Sequence, residues 1–425
     1  MKNIAVIIVN YNGFRFLDKL FYSLNNQSLR IFKDFDVYFS DNGSVDDSVS
    51  FVKIFYPKVV VYKNKKNLGF AEGNNIVLKD IYKKYKYVVL LNNDVYVEKN
   101  WLKELINTAL KYKNVGIVGS KLLFYYPFLD IQLRSNKNYV DDKNRKISFK
   151  LNYIQVNNNK YNKIVYKKGF YNPENENGEL FIPSSHMSSV FLPFNKSSSY
   201  KLYISLSGVG KSKKQKVRVS VGEDFIGEIH LEDTFKQYVF KINQSIVNKN
   251  KFFLINNASS VYNKDGYGKD IGFKEKDTLK YNKKKKVKSV CGASMLINTA
   301  VFEDIGFLDK DFFMYYEDTD FCWRTNNTRK WNIYYSPKSV VRHIHTGSSQ
   351  EWSPLFTFYV KRNRLLMLLK NSSLTIFKKN LNLSLKESKV IIFSKEPISK
   401  RILEVKIIAS LFFNLPKMYI KRIHK

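Results

Sequence analysis

Residues Tyr87–Asp94 read Y-V-V-L-L-N-N-D. A short apolar run rich in Val and Leu, stopped at once by Asn and Asp, makes a strand buried on both faces that ends at a polar edge. The same grammar recurs upstream. Ile4–Val9 is an apolar run closed by a loop containing Gly13, and Val37–Ser40 ends at Asp41-Asn42-Gly43-Ser44. Val59–Tyr62 leads into Asn67-Leu68-Gly69-Phe70-Ala71-Glu72-Gly73-Asn74-Asn75. After the first strand, Phe16, Leu17, Leu20, Phe21 and Leu24 recur at helical spacing. Strand alternating with helix predicts an α/β domain over about the first 120 residues, its sheet largely parallel and covered by helices. Ligands of such sheets sit beyond the carboxyl ends of the strands, where Asn10–Gly13, Asp41–Ser44 and Asn92–Asp94 all fall.

Downstream the pattern changes. From Leu129 to Lys286 helical periodicity gives way to alternation: Leu202, Ile204, Leu206; Val217, Val219, Val221; Tyr238, Phe240, Ile242. Short alternating strands with Gly and Asn turns predict an inserted all-β domain over 129–286, jelly-roll-like or a sandwich. Lys283–Lys286 reads as a solvated connector. The α/β style then returns with Val290-Cys291-Gly292-Ala293-Ser294-Met295. It leads to Phe312–Arg324, F-F-M-Y-Y-E-D-T-D-F-C-W-R, where Glu317, Asp318 and Asp320 stand inside an aromatic run. Carboxylates held against aromatic surface are partly desolvated, which lifts their pKa toward a range useful for proton abstraction. The plainer alternative is a helix N-terminus whose first turn carries acids to complement the dipole.

A chain of 425 residues predicts two or three domains, and 44% hydrophobic content supplies their cores. The formal net charge of +35 favours anionic partners, although part of it reflects a general Lys and Asn bias. No nucleic-acid recognition motif accompanies that charge, so nucleic acid is not expected as a partner. The two cysteines, Cys291 and Cys322, lie in apolar surroundings and suit buried, reduced thiols. No signal peptide is expected, and no apolar run reaches the roughly 18 residues a spanning helix needs. Residues 371–425 hold ten Lys and two Arg against three Glu. Their apolar residues Ile402, Val405, Ile408, Ala409 and Phe412 recur at helical spacing, which predicts a basic amphipathic helical tail.

Asp94, at a strand end, can hold a hard cation that in turn holds a diphosphate, or it can simply form a turn. Asp41 can accept from a base or a ribose, or close an Asx turn with Gly43. His343 and His345 alternate, so at most one of them faces a metal beside Asp94.

Taken together, V-N-Y-N-G, D-N-G-S, N-L-G-F-A-E-G-N-N, L-N-N-D-V, C-G-A-S-M-L, the acidic centre, V-V-R-H-I-H-T-G-S-S and K-R-N-R-L-L resemble the family 2 glycosyltransferases. The resemblance covers about 240 residues, along 1–128 and 255–370, and is greatest to the bacterial branch that includes rhamnosyltransferases. It implies a GT-A nucleotide-diphospho-sugar transferase fold (a Rossmann-like mixed sheet) split over 1–128 and 287–370. It also implies a divalent metal, Mg2+ or Mn2+, and an inverting single displacement from a UDP- or dTDP-linked donor. Carried over by motif, Tyr11, Asp41, Gly69, Asn75 and Asn93 bind the donor. Asp94 and His343 hold the metal, with Asn92 standing where the family often has a first Asp. Asp318 is the general base, with Glu317 orienting it. Gly292, Ala293 and Trp323 lie on the acceptor side, and Asp320 caps or braces the helix.

These expectations describe a hexosyltransferase acting on a cell-surface glycan or polyprenyl-linked acceptor, cytoplasmic and peripheral at the inner membrane face. The processive members' Q-x-x-R-W motif is missing, which argues against a polymer synthase. The insert resembles jelly-roll modules of carbohydrate-active proteins, so glycan binding is one role for it and packing or self-association the other. The rival for the whole chain is a non-catalytic glycan- or nucleotide-sugar-binding protein on the same fold.

Overall fold

The computed structural model describes residues 3–157, 164–176, 178–209, 215–344 and 353–423. The chain divides into two compact units, Met1–Tyr125 with Ile255–Lys425, and Tyr126–Leu254.

The first unit is built on a ten-stranded mixed sheet. Its opening elements alternate as expected: β1 (Ile4–Asn10), α1 (Phe14–Asn25), β2 (Asp36–Asp41), α2 (Ser48–Phe55), β3 (Val60–Lys63), α3 (Gly69–Ile81), β4 (Tyr87–Asn92), β5 (Val95–Val97), α4 (Trp101–Lys111) and β6 (Val115–Phe124). β1 pairs in parallel with both β2 and β4. Ser294–Asn298 then enters antiparallel between β4 and β6, and Asn332–His343 runs parallel to β6. The register aligns the carboxyl ends: Asn10 stands opposite Asp41, and Val9 opposite Asn92. The three candidate loops therefore leave the sheet along one edge.

The continuous apolar runs exist because these strands are covered on both sides. In β1, Val6 and Ile8 join a layer with Leu17, Leu20 and Phe21 of α1, while Ala5 and Ile7 join one with Ala71, Val77 and Leu78 of α3. β4 divides likewise, Val89 and Leu91 against Val88 and Leu90.

Three helices end the described chain: Pro354–Asn371, Leu374–Ile392 and Ile398–Ile423. The expected tail is thus not one helix but two, and both are docked. Leu411 and Met418 pack with Phe312, Leu365 and Leu366, and Lys417 reaches Asp311 at 2.5 Å. Lys421 pairs with Asp309 and, at 2.6 Å, with Asp311. Part of the tail's positive charge is therefore spent on the loop before the acidic helix. Among the described residues, no helix is long and apolar enough to cross a membrane.

The second unit is an antiparallel β structure whose strands connect along one path: Asp224–His230, Lys216–Val221, Phe128–Ser135, Glu179–Pro193, Phe149–Val156, Tyr200–Gly208, Lys236–Ile242. Alternate residues of each strand (Leu133, Leu151, Ile204, Val219 among them) enter one core. Sequence alternation placed this region at 129–286, but the compact unit closes at Leu254. Residues 255–286 belong to the first unit because their short strands pair there. Ile255–Asn257 joins β6, and Lys285–Lys286, expected as connector, forms an edge strand against Tyr334–Tyr335.

Candidate active site

Asn10, at the end of β1, organises the donor-side loops. Its Nδ2 donates to Asp41 Oδ1 at 3.2 Å and to Ser44 Oγ at 3.1 Å, and its Oδ1 accepts from Asn93 Nδ2 at 2.7 Å. A Cβ at Gly13 would lie 2.1 Å from Asn93 Nδ2, so a side chain there would have to push apart the Asn10–Asn93 pair. Asp41 is buried, and both its oxygens accept from Ser44. The expected nucleoside contact and the expected Asx turn meet in this one residue, with the turn visible. Tyr11 projects from the same loop with 46% of its surface exposed, which leaves its ring free to stack on a planar group.

Asp94 follows β4 and meets His343 at the end of Asn332–His343, because β5 pairs Val95 with His343. Asp94 Oδ1 lies 3.2 Å from His343 Nε2, and His343 Nδ1 lies 3.0 Å from Asn256 Oδ1. Burial is the largest single influence and would raise the Asp94 carboxyl, but His343, a backbone N–H and Asn92 together hold it below the usual carboxylate range. A hydrogen on Nδ1, donated to Asn256, leaves the Nε2 lone pair facing a carboxylate oxygen. A proton or a cation between them satisfies both, so this donor pair fits a divalent metal. Among the described residues no third His, Cys, Asp or Glu completes a set. His345 lies outside the described residues.

The acidic helix, Glu317–Asn327, begins after a twisted approach. Phe313, Tyr315 and Tyr316 all have positive φ (66°, 66° and 72°), a conformation that costs a non-glycine residue about 1–2 kcal/mol. Asn363, fully buried, holds it: Nδ2 lies 2.9 Å from the carbonyl of Phe312, 2.9 Å from that of Met314 and 2.8 Å from that of Tyr315. Arg362 adds bonds to the carbonyls of Asp311 and Phe312.

The three acids of the first turn differ because their partners differ. Asp320 is buried among Arg324, Lys370 and Asn371; burial would raise its carboxyl, but the two cations hold it well below the ordinary range. It braces the helix. Asp318 Oδ2 accepts from the Gly292 N–H at 2.9 Å and Oδ1 from the Thr319 N–H at 2.6 Å, yet desolvation wins and raises its carboxyl. Glu317 is buried, and its Oε2 has no hydrogen-bond partner among the described residues. Burial, then repulsion from Asp318, pushes it well above the ordinary range.

Other expected residues make structural contacts. Gly69 has φ +73°, and a Cβ there would lie 2.3 Å from the Phe313 carbonyl, which accepts from the Phe70 N–H at 2.7 Å. The glycine thus lets α3 begin against the twisted loop. Asn75, expected on the donor, instead donates to the Leu308 carbonyl at 2.8 Å and to Glu72 at 3.0 Å. It borders a separate cavity of about 730 Å³ with Lys79, Asp309 and Lys370. Gly292 and Ala293 link the acidic helix to the end of β4: Gly292 bonds Asp318, while the Ala293 carbonyl accepts from the Asn92 N–H at 3.1 Å. Trp323 stacks on Tyr262, ring centroids 4.4 Å apart.

Tyr262 belongs to a hairpin, Ser260–Tyr262 with Gly268–Asp270, that sequence alternation had absorbed into the insert. Its last residue, Asp270, accepts through Oδ1 from Asn257 Nδ2 at 2.6 Å and Ser260 Oγ at 2.9 Å. Asp270 is exposed as a residue, but neighbouring protein partly desolvates its carboxyl and raises its pKa; Asp318 adds repulsion, while the bonds from Ser260 and Asn257 and the charge of His343 oppose the rise. Asp270 therefore lies within electrostatic reach of both the acidic helix and the Asp94–His343 pair. The two cysteines are free thiols, and burial lifts Cys322 to about 12.

Residues 5–172 match the family model described as Glycosyl transferase family 2. A low-salt glycan biosynthesis hexosyltransferase of Haloferax volcanii is 36% identical over 94 residues, 21% of this chain and 28% of that protein. An uncharacterized glycosyltransferase of Haemophilus influenzae is 22% identical over 214 residues, 49% of this chain and 61% of that one. The chain thus aligns with less than two thirds of the length of either relative. Among solved structures, S. aureus TarS 1-349 in complex with UDP-GlcNAc is 14% identical with a TM-score of 0.40, covering 99% of this chain and 84% of that one.

Proposed function

We propose that this chain, which carries a family 2 glycosyltransferase domain on a GT-A fold, is an inverting sugar transferase. It takes a hexosyl group, rhamnosyl included, from a UDP- or dTDP-linked donor to a cell-surface glycan or polyprenyl-linked acceptor. The observation that carries this reading is the Gly292–Ala293 segment, which bonds Asp318 on one side and Asn92, two residues before Asp94, on the other. A desolvated carboxylate and the strand end that leads into Asp94 are thereby joined to one stretch of backbone.

Asp318 is the general base. It accepts the proton of the acceptor hydroxyl as that oxygen bonds the anomeric carbon. The bond to the diphosphate oxygen breaks on the opposite face, its electron pair leaving with the nucleoside diphosphate, so the configuration inverts. Asp94 and His343 would hold Mg2+ or Mn2+, which supplies charge neutralisation for the diphosphate. Tyr11 offers a ring to the base, and the Asn10–Asp41–Asn93 group shapes the loop beneath it. Glu317 lies buried beside the base, its carboxyl raised by burial and by repulsion from Asp318, and it orients that base. Asp270, exposed at the end of its hairpin, offers a carboxylate oxygen to a substrate hydroxyl. Glycan binding by the β unit belongs to the same proposal, on the likeness of its alternating strands to jelly-roll modules.

The decisive experiment screens UDP- and dTDP-sugars by thermal shift with and without Mg2+ or Mn2+, because a bound donor stabilises the fold by mass action. Donors that shift the melt are then assayed for transfer or slow hydrolysis. A donor that binds but is never turned over, with native protein and metal, would favour the binding-protein alternative.

A further inference from the structure

The helix Ile398–Ile423 has two apolar stripes, and the fold uses one. Ile407, Leu411 and Met418 are buried against the neighbouring helices, together with Glu404. On the other side Ile402, Val405, Phe412, Phe413, Ile420 and Ile423 are exposed, Phe413 by 85%. Their spacing of three and four residues keeps them on one face along most of the helix. Soluble monomers rarely leave a contiguous apolar stripe of this length in water.

We propose that this face docks on an anionic lipid bilayer. The charges around it select that occupant. Glu404 is the helix's one acid; it is buried and bonded to Ser388 at 2.8 Å and to Lys361, so the exposed face carries no negative side chain. Lys406 lies exposed beside the stripe, Lys395 is exposed just before the helix start and Lys389 on the preceding helix, while Lys400 pairs with Glu396 and Lys417 with Asp311. Two copies meeting through this face would bring basic tails together, each with twelve cations against three acids, and would repel. A bilayer with anionic headgroups instead takes the aromatic and aliphatic side chains at its boundary and the lysines at its surface. The helix lies in the interface plane and does not cross.

Cosedimentation of the full chain with vesicles tests this independently of any transfer chemistry. Vesicles of phosphatidylcholine alone are compared with vesicles containing about one third phosphatidylglycerol. Binding is expected to the anionic vesicles only and to weaken as salt rises. A Phe413→Asp, Ile420→Asp double variant is expected to lose about tenfold in binding, with an unchanged melting temperature. Should that variant fold poorly, Lys395→Glu with Lys406→Glu, both at exposed positions, is expected to lose the salt-dependent part. Equal binding to both vesicle types, or none to either, overturns the proposal. So does a concentration-dependent dimer in light scattering that the Phe413 variant abolishes, which would assign the stripe to a second copy.

Discussion

The Gly292 N–H donates to Asp318 Oδ2 at 2.9 Å, and that bond orients the carboxylate without making it a weak base. Backbone donors lower a carboxyl's pKa, but desolvation here exceeds them and the net shift is upward. A base must be deprotonated to work, so kcat/KM is expected to fall as pH drops through the raised value. That acid limb lies above the ~3.9 of an ordinary Asp. Asp318→Asn is expected to cost about 10²–10⁴ in kcat while circular dichroism and melting stay unchanged. A variant that retains full transfer removes Asp318 from the mechanism.

Glu317 makes a stability prediction of the opposite kind to a salt-bridged acid. Its carboxyl is raised in the folded state by burial and by Asp318, whereas the unfolded chain titrates near ~4.3. Between those two values the folded state holds more protons, so stability is full below the unfolded pKa and declines as pH rises toward the folded one. Glu317→Gln keeps the shape without the titration. It is expected to match the native protein near pH 4 and to melt higher than it at alkaline pH. Parallel melting curves at all pH values would show that Glu317 is not carrying the shift.

Asn363 holds three carbonyls of a loop in which three residues have positive φ. Asn363→Ala leaves buried carbonyls without a donor, a loss of about 1–3 kcal/mol. Because Asp318 stands in the first turn of the helix that follows that loop, kcat is expected to fall more than the stability loss explains at temperatures where the variant is folded. Denaturant melts and steady-state kinetics measured on the same sample separate the two effects. Unchanged kcat would mean the loop's twist serves folding alone.

Much of this arrangement was legible in the order of residues, and the unread part has physical causes. The run Y-V-V-L-L followed by N-N-D announced a doubly covered strand and the edge where Asp94 emerges, because burial on both faces admits no polar residue until the strand ends. Asp318 and Asp320 were separable only through resemblance, since four consecutive positions say nothing about which acid meets Lys370 and which meets Gly292. Asn363 went unassigned in K-R-N-R-L-L: an Asn inside a helix gives no sign that its amide faces a loop some fifty residues earlier. The hairpin ending at Asp270 was lost to the insert because three-residue strands carry too little periodicity to show where one β region stops and another begins. The glycine-rich context of Asn75 could not show that its amide nitrogen bonds the Leu308 carbonyl, a contact between residues more than two hundred positions apart.

The Asp94–His343 pair predicts metal dependence with two separable readouts. Removing divalent metal with a chelator is expected to abolish turnover and to erase the donor-induced thermal shift, with both restored by Mn2+ or Mg2+. His343→Ala and Asp94→Asn are each expected to weaken metal-dependent stabilisation, and Asp94→Asn more, because it removes the charge as well as a donor atom. Second-sphere loss is milder: Asn256→Ala is expected to lower metal affinity about 10–100-fold without eliminating activity. Full turnover in chelator would leave the pair as a buried ion pair with no role in transfer.

Asp270 gives the sharpest separation between substrate binding and chemistry. An asparagine side chain in its place could still accept from Asn257 and Ser260 through its amide oxygen, so Asp270→Asn preserves the hairpin while removing one charge. If the carboxylate receives a substrate hydroxyl, KM for one substrate is expected to rise about tenfold with kcat within about twofold. The acceptor is the expected one, since the hairpin is stacked through Tyr262 on Trp323 of the acidic helix and not on the donor loops. Removing a like charge near Asp318 also makes that base easier to deprotonate, so the acid limb of kcat/KM is expected to move to lower pH. A structural defect would lower both kinetic constants and the melting temperature without moving the limb. A variant whose limb moves while both KM values stay fixed would make Asp270 an electrostatic neighbour of the base and not a contact for the acceptor.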